Sequence, residues 1–487
     1  MTDRIRLNDE NRRWWTLAAM CFALFMVMLD NTVVNVALPS IQDDLHASIA
    51  GLEWTVNAYT LAFGVLLVTG GRLGDIFGRR RVFLMGVVLF AASSLFIGFS
   101  QSSGWLISGR AIQGVGAALM MPATLSIITN AFPPHERGKA IGTWAGVSAL
   151  ALAIGPVLGG VLVEHVSWQS IFFINLPVAV GAIVVTLFAT HESRDETVAK
   201  KVDFAGIAAI TVGLTALTLA LVEAGSWGWG SPRILALFAL SIAGLIAFAQ
   251  IERRVKVPMV DFSFFGSRTF LGTNIVAFIV TFSMLGMFFF LTLYMQNILD
   301  YSPLEAGIRF LPTTLMVIVV APIAGRLTDK IGPRPLIVTG LTLVATSLLW
   351  QSFLTPTSGF GFLLPGFVLM GIGIALVMSP MSTAAMNAVD QSKAGVASGI
   401  LSMSRMVGGT LGVAVLGTFI GQAASRADFV NSLGQGLLIG SLVAFAGAIV
   451  AWTLISPELA GGAVRPAPAT GEATPPSVEP ARERVGA

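Results

Sequence analysis

The chain has 487 residues, 55% of them hydrophobic and only 11% charged, with a formal net charge of +3. Soluble globular proteins carry about 25% charged residues, so a soluble domain is excluded and an all-α polytopic membrane protein is expected. The single cysteine, Cys21, excludes an internal disulfide and cysteine-based zinc ligation.

Residues 1–13 hold Arg4, Arg6, Arg12 and Arg13 and read as a cytoplasmic N-terminal segment. The apolar run that follows from Trp14 is too long for the core of a signal peptide and lacks a small-residue cleavage site, so it reads as a retained first helix. Inside it, in "CFALFMVMLDNTVVNVALP", stands Asp30. A carboxylate at the centre of a span costs about 2.5 to 3.5 kcal/mol on insertion scales, which makes it a functional residue by default. Apolar runs predict fourteen helices, near 14–38, 54–72, 81–100, 105–132, 140–163, 171–189, 204–223, 233–252, 270–296, 306–326, 335–353, 361–386, 395–420 and 433–455. An even number puts both termini on one side. That side holds 24 of the 29 Lys and Arg, the opposite connections hold three (Arg233, Arg309 and Arg426), and Arg110 and Arg405 lie within spans. The positive-inside rule then makes the side of the termini cytoplasmic, in a cytoplasmic (inner) membrane. Basic residues follow topology and form no patch interleaved with aromatics, which argues against nucleic acid as a partner. Residues 457–487, rich in Pro, Ala, Glu and Gly, read as a disordered cytoplasmic tail.

An internal repeat organises the spans. "GRLGDIFGRRR" from Gly71 returns as "GRLTDKIGPRP" from Gly325, 254 positions later. A longer pair begins at Gln113 and Met370, at an offset of 257, and includes Gly114/Gly371, Gly116/Gly373 and Asn130/Asn387. The expected organisation is a six-helix half over 14–190, two inserted helices over 203–252 and a second six-helix half over 270–456. Two parallel halves that rock about a midplane site are what alternating access requires. The DKIG of the second loop lacks the threonine of a pump phosphorylation loop, and no GxxxxGK[ST] phosphate loop is present. The chain reads as a transporter driven by an ion gradient and not as an enzyme, with no cofactor and no metal.

Several stretches resemble the major facilitator superfamily and, within it, the fourteen-helix drug:proton antiporters. "GRLGDIFGRRR" resembles the superfamily's 2–3 loop, "LDNTVVNVALP" the first-helix signature of the fourteen-helix group, and "GRAIQGVGAALMMP" the fourth-helix motif with its embedded arginine. "AIGPVLGG" resembles the fifth-helix antiport motif, and "SWQSIFFINLP" the segment after it, with Gln169 where the family usually has arginine. The resemblance implies a multidrug efflux protein conferring antibiotic resistance, whose partners are small amphipathic substrates, protons and membrane lipids. Export of one endogenous metabolite and a non-transporting membrane sensor stand as alternatives.

Asp30 is the expected proton-coupling residue, and the only acid placed deep in a predicted span. Counted from the ends of helices 1 and 4, Arg110 lies at a similar depth, so it is the expected partner. Arg405, in the middle of helix 13, either bonds backbone carbonyls or faces the substrate cavity. Glu223, near the end of helix 7, reads as helix-end solvation or substrate entry. Gly71, Asp75, Arg79 and Arg80, with Asp329 in the second copy, form the expected gating loops. Gly155, Pro156, Gly159 and Gly160 form the antiport motif, expected to seal helix 5 tightly. Met20, Met26, Met28, Met120, Met121, Met284, Met287 and the Phe288 run either line an adaptable cavity or face lipid, the commoner fate of such residues.

Overall fold

The computed structural model describes residues 9–194, 203–255, 258, 260, 262–389, 394–420 and 425–456. The tail 457–487, the side chain of Asp329 and several topology-setting basic residues (Arg4, Arg6, Lys200, Lys201, Lys256 and Lys393 among them) lie outside the described residues. In lipid every backbone polar group must be satisfied within the chain, and these apolar runs meet that demand as helices. Helices 1 to 5 are Asp9–Leu45, Ile49–Phe77, Arg79–Gly98, Ser103–Ala131 and Pro134–His165. Helix 6 comprises Ser170–Phe173 and Asn175–Ala189; helices 7 and 8 are Phe204–Trp227 and Pro232–Arg254. Helix 9 runs from Arg268 into a π-helical turn, Tyr294–Ile298, and helix 10 comprises Pro303–Arg309 and Leu311–Ile331. Helices 11 to 14 are Pro333–Gln351, Phe360–Asn387, Ala394–Ile420 and Arg426–Leu454. Thirteen of these are long and apolar enough to cross a membrane, and the described part of helix 5 adds the shorter apolar stretch Ile154–His165. The protein is a multi-pass membrane protein.

Local chemistry sets the helix ends. Ser48, Ser102, Ser231, Ser267 and Ser425 each accept a backbone N–H of the first turn, a cap that contributes about 1 kcal/mol. Helices 2 and 10 end at Gly78 and Gly332, at φ +111° and +80°, a conformation that side chains with a Cβ resist. These two glycines occupy the same place in the two copies of the repeated loop.

The repeat is equally visible in packing. Helices 2 and 4, 3 and 4, 1 and 5, 1 and 6, 3 and 6, and 1 and 4 pack together; the same six pairings recur eight helices later. Register recurs as well. A Cβ at Gly116 would lie 2.9 Å from the carbonyl oxygen of Gly86, and one at Gly373 would lie 2.7 Å from that of Gly340. These close backbone approaches repeat the offsets of 257 and 254 seen in the sequence. Two seams join the halves: helix 2 against helix 13, and helix 5 against the first segment of helix 10. They are the same seam twice under the repeat. Helix 7 pairs with helix 8 and also lies against helices 2 and 13, covering one seam only.

Hydrogen bonds across the halves gather on the side opposite the termini, here the far side. Gln296 Nε2 donates to the Val36 carbonyl (2.9 Å), Asn297 Nδ2 to Gln42 Oε1 (3.3 Å) and Leu304 N to Glu164 Oε2 (3.1 Å).

Two expectations are corrected here. Helix 2 begins at Ile49 and not at residue 54, because Ser48 caps it, and this draws Glu53 into the bundle at 1% exposure. Asp30 is therefore not the only buried acid; Glu252, near the end of helix 8, is buried too. Part of the methionine set is packed inside and does not face lipid. Met20, Met26, Met120 and Met287 are wholly buried, as are Phe289 and Phe290, because these positions lie on the helix faces that pack into the bundle, whereas Met28, Met121, Met284 and Phe288 are partly exposed.

Candidate functional site

Asp30 and Arg110 meet inside the first six helices. Arg110 Nη1 donates to Asp30 Oδ2 at 2.5 Å, and both side chains are closed to solvent, at 0% and 1% exposure for the residues. Gln113, one turn along helix 4 from Arg110, shares its face. Its Nε2 donates to Asp30 Oδ1 (3.0 Å) and Ser94 Oγ (2.8 Å), while its Oε1 accepts from Arg110 Nη1 (2.6 Å). Asn175, which opens the second segment of helix 6, donates to Asp30 Oδ1 (3.4 Å) and Ser94 Oγ (3.3 Å). Helix 2 closes the cluster. The Thr55 carbonyl accepts from Arg110 Nε at 3.0 Å, and the guanidinium carbon sits 4.2 Å from the centroid of the Tyr59 ring. Both carboxylate oxygens and the guanidinium's Nε and Nη1 are thus satisfied, which is what allows two charges to leave water together. Five helices contribute to this one cluster.

Ser94, Asn175 and Tyr59 were not named from the sequence, and Gln113 only as the start of a repeat. Gln113 and Asn175 stand inside two of the quoted motifs, but a census of charges passes over neutral amides. At the 257 offset, Arg110 and Gln113 become Phe367 and Met370, both buried in apolar packing.

The remaining expected residues lie elsewhere. Arg405 in helix 13 donates from Nη2 to Ser402 Oγ (3.3 Å), while its Nε is buried with no acceptor. It does not bond backbone carbonyls through its side chain as one reading expected; the carbonyl of Arg405 instead accepts from Thr281 Oγ1 (2.7 Å). Glu223 is partly buried near the end of helix 7 and accepts from Ser226 Oγ at 2.7 Å.

In the 2–3 loop, Asp75 Oδ1 accepts from Arg79 Nε (2.9 Å) and Nη2 (2.8 Å). Arg80 Nη2 donates to the Leu187 carbonyl (2.9 Å). The amides of Arg80 and Arg81 donate to Glu192, which follows helix 6, so a carboxylate caps the positive end of helix 3. Glu192 was not read from the sequence. Gly71 packs on Pro122 of helix 4, where a Cβ would lie 3.3 Å from the proline Cβ. The helix 5 glycines divide their work between two neighbours. Gly155 and Gly159 face Thr32 and Val33 of helix 1, whereas Gly160 faces Pro303 and Leu304 of helix 10, across the seam. Pro156 meets Gly307 there through its carbonyl. Trp168 Nε1 donates to Asp44 Oδ2 (2.7 Å) and Gln169 Nε2 reaches the same oxygen at 3.4 Å, tying the 5–6 connection to the end of helix 1.

Residues 20–413 match the family model of the Major Facilitator Superfamily. The chain belongs to the Major Facilitator Superfamily. Among relatives in this superfamily, the puromycin resistance protein of Streptomyces alboniger is 39% identical over 98% of this chain and 96% of its own. The tetracenomycin C resistance and export protein of Streptomyces glaucescens is 40% identical, covering 84% of this chain and 76% of its own. Multidrug resistance protein Stp of Mycobacterium tuberculosis is 36% identical, covering 83% and 75%. Solved structures share the fold at low identity. A bacterial homolog of the human lysosomal transporter Spinster, in an inward-facing and unoccupied conformation, matches at TM-score 0.64 and 18% identity, over 91% of this chain and 96% of that one. An auto-inhibited peptide transporter of the POT family matches at TM-score 0.66 and 14% identity, over 90% and 96%.

Proposed function

We propose that this superfamily member is a proton-coupled antiporter that exports small amphipathic toxic compounds across the cytoplasmic membrane, with both termini in the cytoplasm. The observation that carries the reading is the buried Asp30, Arg110, Gln113 and Asn175 cluster, whose Arg110 and Gln113 stand where the second half has Phe367 and Met370. A proton arriving at an Asp30 oxygen removes the charge that Arg110 and the two amides hold. The guanidinium then lies buried without a counter-ion, a state several kcal/mol less favourable than the pair. Helices 1 and 4 relieve it by shifting relative to each other, and helix 1 touches both seams' neighbours, helices 5 and 9. Protonation thereby biases the rocking equilibrium, as a switching ligand must.

The glycine contacts between helices 5 and 10 support a tight seal on the far side, and the Asp75 to Arg79 pair supports a latch on the cytoplasmic side. Arg405 is the candidate cavity residue. Export of one antibiotic is a second reading, favoured by the relatives whose names specify tetracenomycin C and puromycin. Everted vesicles loaded through a pH gradient and challenged with a panel of cationic dyes, tetracenomycin C and puromycin separate the readings. Broad, gradient-driven uptake supports multidrug efflux, uptake of a single compound supports the dedicated exporter, and no gradient-driven flux of any compound defeats both.

A further inference from the structure

Helix 2 carries polar groups on two faces. One, with Thr55 and Tyr59, closes the Asp30 cluster. The other faces helix 13 in antiparallel register. Gly64 lies against Met406, Thr60 Oγ1 and Thr410 Oγ1 are 2.7 Å apart, and Glu53 lies against Gly417, where a Cβ would sit 2.6 Å from Glu53 Oε2. Two groups on this face carry buried polar atoms with no partner among the described residues. Glu53 is buried at 1% exposure with Oε2 unpartnered; Asn57, one turn on, is wholly buried with both Oδ1 and Nδ2 unpartnered. Helix 7, which covers this seam against helices 2 and 13, carries Glu223, whose charge acts on Glu53. From helix 13 it is a glycine that faces the carboxyl.

An ionised carboxylate with an unpartnered oxygen and a glycine in front is an untenable arrangement in a closed bundle. A proton on Glu53 resolves it. We propose that Glu53 is a second proton-binding site, at the far-side end of the seam between helices 2, 7 and 13, which must be occupied for that side to close. The site rests on the alternating-access reading given above but not on Asp30. When helices 2 and 13 part, water reaches Glu53 and the proton leaves to the far side; closure takes it up from the same side. The site therefore makes closure depend on far-side pH without adding a proton to the transported stoichiometry, and it gives inserted helix 7 a direct part in the cycle.

Spin labels on an Asp43→Cys, Asn297→Cys pair in a Cys21→Ser, Asp30→Asn, Arg110→Gln background, which strands no charge, report far-side closure of the full chain in nanodiscs, without proton coupling through Asp30. The closed-to-open ratio is expected to rise by up to tenfold for each unit of falling pH, the limit for uptake of one proton. Glu53→Gln, which keeps shape and mimics the protonated carboxyl, is expected to abolish that dependence and hold the closed distance throughout. Glu223→Gln is expected to shift its midpoint. Infrared spectra should show a protonated carboxyl band that Glu53→Gln removes. A pH dependence of closure unchanged in Glu53→Gln, or a midpoint unmoved in Glu223→Gln, overturns the proposal, whether or not the protein exports drugs.

Discussion

Removing either member of the Asp30–Arg110 pair should cost far more than removing both. Arg110→Gln leaves a carboxylate, and Asp30→Asn a guanidinium, in a site with 0% and 1% exposure. Loss of one partner from such a pair costs about 3 to 5 kcal/mol. In Asp30→Asn/Arg110→Gln no charge is stranded, and the loss falls to five hydrogen bonds: the three that Asp30 accepts from Arg110, Gln113 and Asn175 and the two that Arg110 donates to the Thr55 carbonyl and Gln113. At about 0.6 kcal/mol for each such bond in a membrane protein, that is roughly 3 kcal/mol. The coupling energy from the double-mutant cycle is then at least about 3 kcal/mol. Reversible unfolding of the four proteins in mixed micelles measures it. Additive single effects, with coupling below about 1 kcal/mol, would refute the view that the two charges depend on each other.

Arg405→Gln should behave in the opposite way. This cation has no carboxylate partner and an unpartnered Nε, so its removal is expected to leave stability unchanged or raise it; a loss of about 3 kcal/mol or more in the same unfolding assay would show an ion pair at work. Gly160→Leu inserts a side chain where helix 10 already stands, at an overpacking cost of about 1 to 3 kcal/mol borne by the closed seam. Far-side labelling of an Asn297→Cys reporter in a Cys21→Ser background should therefore increase, and unchanged labelling would remove helix 5 from the seal. Gly78→Ala should destabilise the 2–3 loop by at least about 1 to 2 kcal/mol, because φ is +111° and the new Cβ would meet the Glu192 carboxyl. Adding Glu192→Ala should recover only the part due to contact, as thermal melts of the single and double variants would show.

The spans were legible because hydrophobicity alone forces them, and the repeat was legible because close backbone approach leaves only glycine at Gly116 and Gly373. Asp30 and Arg110 stood out for a related reason: charges are rare in lipid and each needs an explanation. What escaped was polar without being charged. Gln113 and Asn175 orient the carboxylate, yet an amide in an apolar run carries no signal in a charge count. Glu53 escaped differently. Trimming the second span at the first acid placed it in a connection, although Ser48 is a helix cap and puts the start of the helix four residues before Glu53. The two readings of the methionines were inseparable by composition, since lipid and bundle interior are equally apolar. Their burial depends on helix rotation, which only the packed neighbours set. Gln169 bonds the same Asp44 oxygen as Trp168, so a neutral amide there still ties the 5–6 connection to helix 1.

The most direct test concerns Asp30 itself. Everted vesicles carrying wild type, Asp30→Glu or Asp30→Asn, matched for the amount of inserted protein, are supplied with a fluorescent cationic substrate and a pH gradient. Wild type is expected to accumulate substrate and release protons in exchange, Asp30→Glu to retain part of both, and Asp30→Asn to bind substrate without gradient-driven accumulation. Full proton-driven accumulation by Asp30→Asn would contradict the assignment of proton coupling to this carboxylate.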